Sequence, residues 1–170
     1  METEIRQLRS TKSLNAASVI VLAGLLTGTL DGMAAIIQYV VIRGGSPVNV
    51  FVHIASGVFG SAAFSRGISV ALWGVFFHYC IAFIWAVIFF QVYPRIAFLA
   101  RNRLVTGLLL GLFIWLVMNL VVLPLSNVPP LRFNPVRVSL GIIILMLCVG
   151  LPITWLTAGY YARKAAKGNP

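Results

Sequence analysis

Residues 16–42 read AASVIVLAGLLTGTLDGMAAIIQYVVI, an apolar run of 27 residues with a single carboxylate, Asp31, near its centre. A helix of about 20 apolar residues spans the roughly 30 Å hydrocarbon core of a bilayer, so this run is a transmembrane candidate. A charged side chain at mid-bilayer costs on the order of 2.5–3.5 kcal/mol on insertion scales, so Asp31 needs a partner or a wet cavity inside the protein.

The rest of the chain agrees with a membrane setting. Of 170 residues, 60% are hydrophobic and 9% are charged, and the mean hydropathy is +0.98, outside the range of soluble globular domains. Beyond residue 42 the spans expected are 68–92, 104–125 and 138–160. Between the first two lies VFVHIASGVFGSAAF, residues 50–64, which is short for a span and suits a re-entrant or interfacial helix. The fold expected is an all-α bundle of four transmembrane helices, residues 16–160, with that short helix after the first.

The positive-inside rule separates four spans from five. With four, one side receives nine bases: Arg6, Arg9, Lys12, Arg95, Arg101, Arg103, Arg163, Lys164 and Lys167. The other receives Arg43, Arg66, Arg132 and Arg137. Five spans turn nine against four into six against seven, so the expectation is four, with the tails 1–15 and 161–170 cytoplasmic. The N-terminal apolar run is too long for a signal peptide and has no small-x-small cleavage site, so it reads as a retained anchor. The loop SNVPPLRFNP, residues 126–135, is expected to be ordered and non-helical.

The net charge of +10 would suggest nucleic acid in a soluble protein. Here the bases stand at the ends of apolar runs, where they set topology and meet anionic lipid headgroups, and no nucleic-acid partner is expected. Cys80 and Cys148 fall inside apolar segments, with neither a disulfide nor metal-site spacing implied.

Small residues mark the helix faces expected to pack. Gly24, Gly28 and Gly32 form a doubled GxxxG, and Gly24, Thr27, Gly28, Asp31, Ala35 and Gln38 share one face at helical period. Gly74 and His78 lie on a similar face of the second span, and Gly107, Gly111, Trp115 and Asn119 form an i, i+4 row in the third. Asp31 and His78 are therefore expected at similar depth, as a pair that sets helix register or shares a proton. Asn119 is expected to cross-link helices by a hydrogen bond. Pro152 with Gly150 suggests a kink.

Two histidines on separate helices can ligate a haem iron from opposite faces, which makes His53 and His78 the candidates for an electron carrier. Their expected depths, outer interface and midplane, speak against a shared haem, and no cofactor is expected. No GxSxG, HExxH, Walker or Rossmann pattern occurs, and no second carboxylate stands beside Asp31, so enzymatic chemistry is not expected.

The run GVFFHYCIAFIWAVIFFQVYPRIAF, followed by GLLLG and VVLPLSNVPP, resembles the YagU-like family of small bacterial inner-membrane proteins over about residues 74–130. His78, Pro94, Gly107, Gly111, Pro124, Pro129 and Pro130 carry the likeness. The resemblance implies a bacterial inner membrane and no particular reaction. The leading expectation for function is a non-enzymatic scaffold or accessory subunit that packs against itself or a larger membrane complex through its small-residue seams. The competing expectation is an oligomeric proton-coupled transporter or channel using Asp31 and His78.

Overall fold

The structure, a computed structural model, describes residues 15–129 and 134–167. The basic tail with Arg6, Arg9 and Lys12, the loop residues Pro130 and Arg132, and residues 168–170 lie outside the described residues. All regular structure among the described residues is helical. In chain order the helices are α1 (Ala16–Arg43), α2 (Val48–Phe59, extended by a tighter 3₁₀ stretch, Gly60–Ser65), α3 (Ile68–Val92), the short α4 (Ala97–Arg101), α5 (Arg103–Leu125) and α6 (Pro135–Lys167). Five of these, all but α4, are long and apolar enough to cross a membrane.

Three asparagines start helices by the same local chemistry. The side-chain oxygen of Asn15 accepts from the Ser18 amide at 2.7 Å, that of Asn102 from Leu104 and Val105, and that of Asn134 from Arg137. Each satisfies amides that the first helical turn leaves unbonded. Asn134 followed by Pro135 explains why α6 begins earlier than the apolar run from Val138 suggests: proline is pre-set for a first helical position. At the other end, α6 continues past Tyr160 to Lys167. Gly44, at φ +63°, closes α1 with its amide on the Val40 carbonyl.

Facing residues give the directions. Gly24, Gly28 and Gly32 on α1 face Phe83, Tyr79 and His78 on α3, in descending order, so α1 and α3 are antiparallel. Gly107, Gly111 and Trp115 on α5 face Leu151, Met146 and Gly141 on α6, again antiparallel. Phe90 and Tyr93 meet Tyr160 and Tyr161 in one aromatic cluster, so α3 and α6 finish at the same end. It follows that α1 ends where α3 begins. The segment containing α2 therefore leaves and rejoins the bundle at one end.

There α2 is held on two sides. Gly74 of α3 lies so close to the Phe51 carbonyl that a methyl group at 74 would overlap it. The amide of Asn127, just past α5, donates to the Gly57 carbonyl at 2.9 Å, and the Asn127 side-chain amide donates to Val58. Residues 126–129 are non-helical, as the proline-rich sequence leads one to expect.

Val52, Ala55, Ala63, Val70 and Ala71 form a core cluster between α2 and α3, and a second cluster, Phe89, Tyr93, Ile114, Val149, Ile153 and Ala158, lies toward the opposite end. The exterior is apolar: Leu25, Met33, Leu72, Phe76, Ile84, Phe113, Leu120, Leu147 and Trp155 all face outward. An apolar surface on this scale needs a non-aqueous neighbour, and it is compatible with a multi-pass membrane protein.

Thr27 and Thr154 are both fully buried, yet they differ. The Thr27 hydroxyl donates to the Ala23 carbonyl at 2.7 Å, whereas the Thr154 hydroxyl oxygen has no hydrogen-bond partner. Removing an unsatisfied buried hydroxyl while keeping the side-chain shape is neutral or favourable. Thr154→Val is expected to stabilise the protein by about 1 kcal/mol. A lower melting temperature in detergent would show that the hydroxyl has a partner after all.

Candidate functional site

The site is built where two prolines loosen two helices. Proline lacks an amide hydrogen and its ring collides with the carbonyl four residues back, so a helix containing it must widen or bend. Pro124 and Pro152 would meet the carbonyls of Leu120 and Cys148. Both of those residues lie in wide π-helical turns, Met118–Val122 in α5 and Leu145–Gly150 in α6. Such turns are frequent at functional sites because they displace side chains from the regular helical face.

Beside these turns lies a cavity of about 450 Å³. Its polar lining comes from every principal helix: Thr27, Asp31 and Gln38 from α1, His53 from α2, His78 from α3, Asn119 from α5, with the Gly141 backbone of α6. Its walls are apolar and aromatic, including Phe77, Trp85, Trp115 and Met118. Among the described residues no Lys or Arg lines it. A second space of about 240 Å³ adjoins it, sharing Ala35, Gln38, His53 and Ile54, and carries Tyr39, Asn49, Phe64 and Arg137 toward the α2 end of the bundle.

Asp31 lines this cavity, and His78 is near enough to act on its charge. Sequence reasoning expects the two to pair. The imidazole Nε2, however, lies 2.8 Å from the Gly28 carbonyl, one turn before Asp31 on the same helix. A carbonyl only accepts, so Nε2 carries the proton and donates it. The α1–α3 register is therefore held from His78 to main chain, which Gly32 permits: a side chain there would press on the imidazole, with its Cβ only 3.2 Å from Nε2. Alongside, the Thr29 and Tyr79 hydroxyls meet at 2.9 Å. The carboxyl group is left to the cavity.

Asn119 also departs from expectation. Its amide nitrogen donates to the Trp115 carbonyl at 2.9 Å within its own helix, instead of crossing to another. The wide turn at Met118–Val122 makes this the available acceptor, and Asn119 still lines the cavity. The Gln38 side-chain nitrogen is buried without a partner, on the wall shared by the two spaces.

His53 is the residue whose place the sequence conceals most. Expected at an interface, it lines both spaces and shares the larger with His78. The usable signal was the helical spacing of His53, Ile54, Gly57 and Val58, all of which line the larger cavity. Co-location does not by itself make a haem site: Nε2 of His78 is engaged with a carbonyl, and that bond would have to break for it to ligate iron. Among the described residues no group of three or more His, Cys, Asp or Glu side chains comes together as a metal site.

The packing glycines are all found against other segments of this same chain. Gly24 and Gly28 lie under Phe83 and Tyr79, Gly74 under the Phe51 backbone, Gly107 against Leu151 and Gly150, and Gly111 against Leu145 and Met146. No protein-family profile, curated protein or solved structure matches this chain.

Proposed function

We propose that the chain is a small multi-pass protein of a bacterial inner membrane, crossing it four times with cytoplasmic termini, and that it moves protons through the cavity at Asp31. The observation that carries this reading is the cavity-lining carboxyl group of Asp31. A lone carboxylate at mid-membrane depth is costly and faces a functional cavity more often than a packing seam. In this protein Nε2 of His78 is bonded to the Gly28 carbonyl, and the carboxyl lines the cavity with the imidazole close enough to act on its charge.

Four crossings agree with the antiparallel α1–α3 pairing, which returns α2 to the end it left. In that arrangement α2 is a re-entrant or surface helix covering the outer end of the cavity. Arg95, Arg101, Arg103, Arg163, Lys164 and Lys167 stand at the other end, the side that the positive-inside rule assigns to the cytoplasm. A bacterial membrane is what the resemblance of residues 74–130 implies. The accessory-subunit expectation rests on seams free to meet a partner, and these seams are filled from within the chain, which favours transport over scaffolding.

Two measurements test the proposal. Single cysteines at Ser46 and Ser65, in a chain whose Cys80 and Cys148 are replaced, are expected to react with an impermeant maleimide from the same, periplasmic, face of intact cells. Labelling from opposite faces would make α2 a crossing. Purified protein in liposomes is expected to carry proton flux above that of empty vesicles under an imposed pH gradient, and equal flux removes the transport reading.

A further inference from the structure

The larger cavity is far bigger than a proton needs. At about 450 Å³ it falls in the size range that encloses a drug-sized organic molecule. Among the described residues its lining holds one carboxylate, Asp31, and no Lys or Arg. Nε2–H of His78 is committed to the Gly28 carbonyl and is not presented to a bound molecule. The same lining includes Phe77, Trp85 and Trp115, aromatic rings of the kind whose faces attract cations. An acid in an aromatic, largely apolar chamber, with no Lys or Arg among its described lining, is complementary to one chemical class.

We infer that the cavity around Asp31 binds an apolar organic cation, which takes the place of the proton on the carboxyl group. This rests on the proton-site reading of Asp31 and names the solute to which proton movement is coupled. The exchange balances: the cation enters as Asp31 releases one proton, and rebinding of the proton expels it. The groups facing Asp31 are compatible. Among the described residues they are His78 from α3 and Cys148 from α6, both within electrostatic reach of the carboxylate, while His53 from α2 shares the cavity lining. Arg137, the nearest base in the adjoining space, is separated from Asp31 by the wall at Gln38, seven residues or about 10 Å further along α1.

The test uses the purified full chain in detergent and tetraphenylphosphonium as the probe, with tetraphenylborate and triphenylphosphine oxide as anionic and neutral counterparts of similar bulk. Wild type is expected to bind the phosphonium at least tenfold more tightly than either counterpart. Affinity should weaken about tenfold per pH unit once Asp31 is protonated, because one proton competes. Asp31→Asn is expected to abolish binding, Asp31→Glu to retain it, and Trp115→Leu to weaken it severalfold. Infrared difference spectra of the carboxyl band follow Asp31 protonation independently of any ligand. A carboxyl band that titrates, with no preference for the phosphonium or none lost in Asp31→Asn, overturns the cation inference and leaves the proton site standing. A band that never titrates, with phosphonium binding indifferent to pH, overturns both.

Discussion

Gly150→Ala is expected to destabilise the protein by on the order of 3 kcal/mol, the upper part of the range for overpacked interiors. The added methyl would overlap the Gly107 carbonyl oxygen and come within 2.6 Å of the Gly111 amide nitrogen. All its nearest neighbours are backbone, so no side chain can swing away and α5 and α6 must separate. Against a typical total stability of about 5–15 kcal/mol, the loss is large. Gly159 lies two and a half turns further along the same helix and supplies the control. A methyl there meets only the Arg163 guanidinium, at 3.6 Å, and alanine is favoured over glycine in a helix by about 1 kcal/mol. Thermal unfolding in one detergent is thus expected to show opposite signs for the two alanines. Equal melting temperatures for Gly150→Ala and wild type would mean that the α5–α6 approach is not as close as described.

Asp31→Asn is expected to reduce proton flux in liposomes to the level of empty vesicles. Asparagine keeps the shape and hydrogen-bonding reach of the acid but cannot take up or release a proton near neutral pH. Packing is expected to survive, because the contacts of Gly28 and Gly32 with α3 and the His78 bond to the Gly28 carbonyl do not pass through the carboxyl group. Replacing an acid in a low-dielectric interior by a neutral group leaves stability unchanged or raises it. The melting temperature should therefore hold while flux disappears. Unchanged flux in a folded Asp31→Asn protein removes Asp31 from the path. A marked fall in melting temperature would show instead that the carboxyl group is a structural partner, returning the pair to a register role.

The helix positions were legible in the apolar runs because each run is long and bounded by strong local signals. Asn15, Asn102 and Asn134 cap three helices, and the α3 limits, Ile68–Val92, coincide with the hydropathy run. The glycine faces were legible for a similar reason: residues at i and i+4 share a face in any helix. The partner across each face was not. His78 is at the right height for Asp31, but hydrogen-bond choice depends on sub-ångström placement, and the nearest acceptor on α1 is the main chain exposed by Gly28 and Gly32. Asn119 follows the same logic, turned back on its own helix within a wide turn.

The cavity was not legible because it belongs to no single segment. It arises where the wide turns preceding Pro124 and Pro152 meet α2, and α2 is drawn inward by the Phe51–Gly74 approach and the Asn127 hydrogen bonds. The prolines are visible in the sequence, but whether their helices bend, widen or simply end depends on neighbouring packing.

Hydropathy and helical period, which act within one segment, are enough for the all-helical class, the apolar stretches, and an acid among small residues at the centre of the first helix. Only the tertiary structure decided that α2 leaves and rejoins the bundle at one end, that His78 bonds to backbone, and that Asp31 opens on a chamber of molecular size. These depend on contacts between residues tens of positions apart, whose geometry no local periodicity encodes.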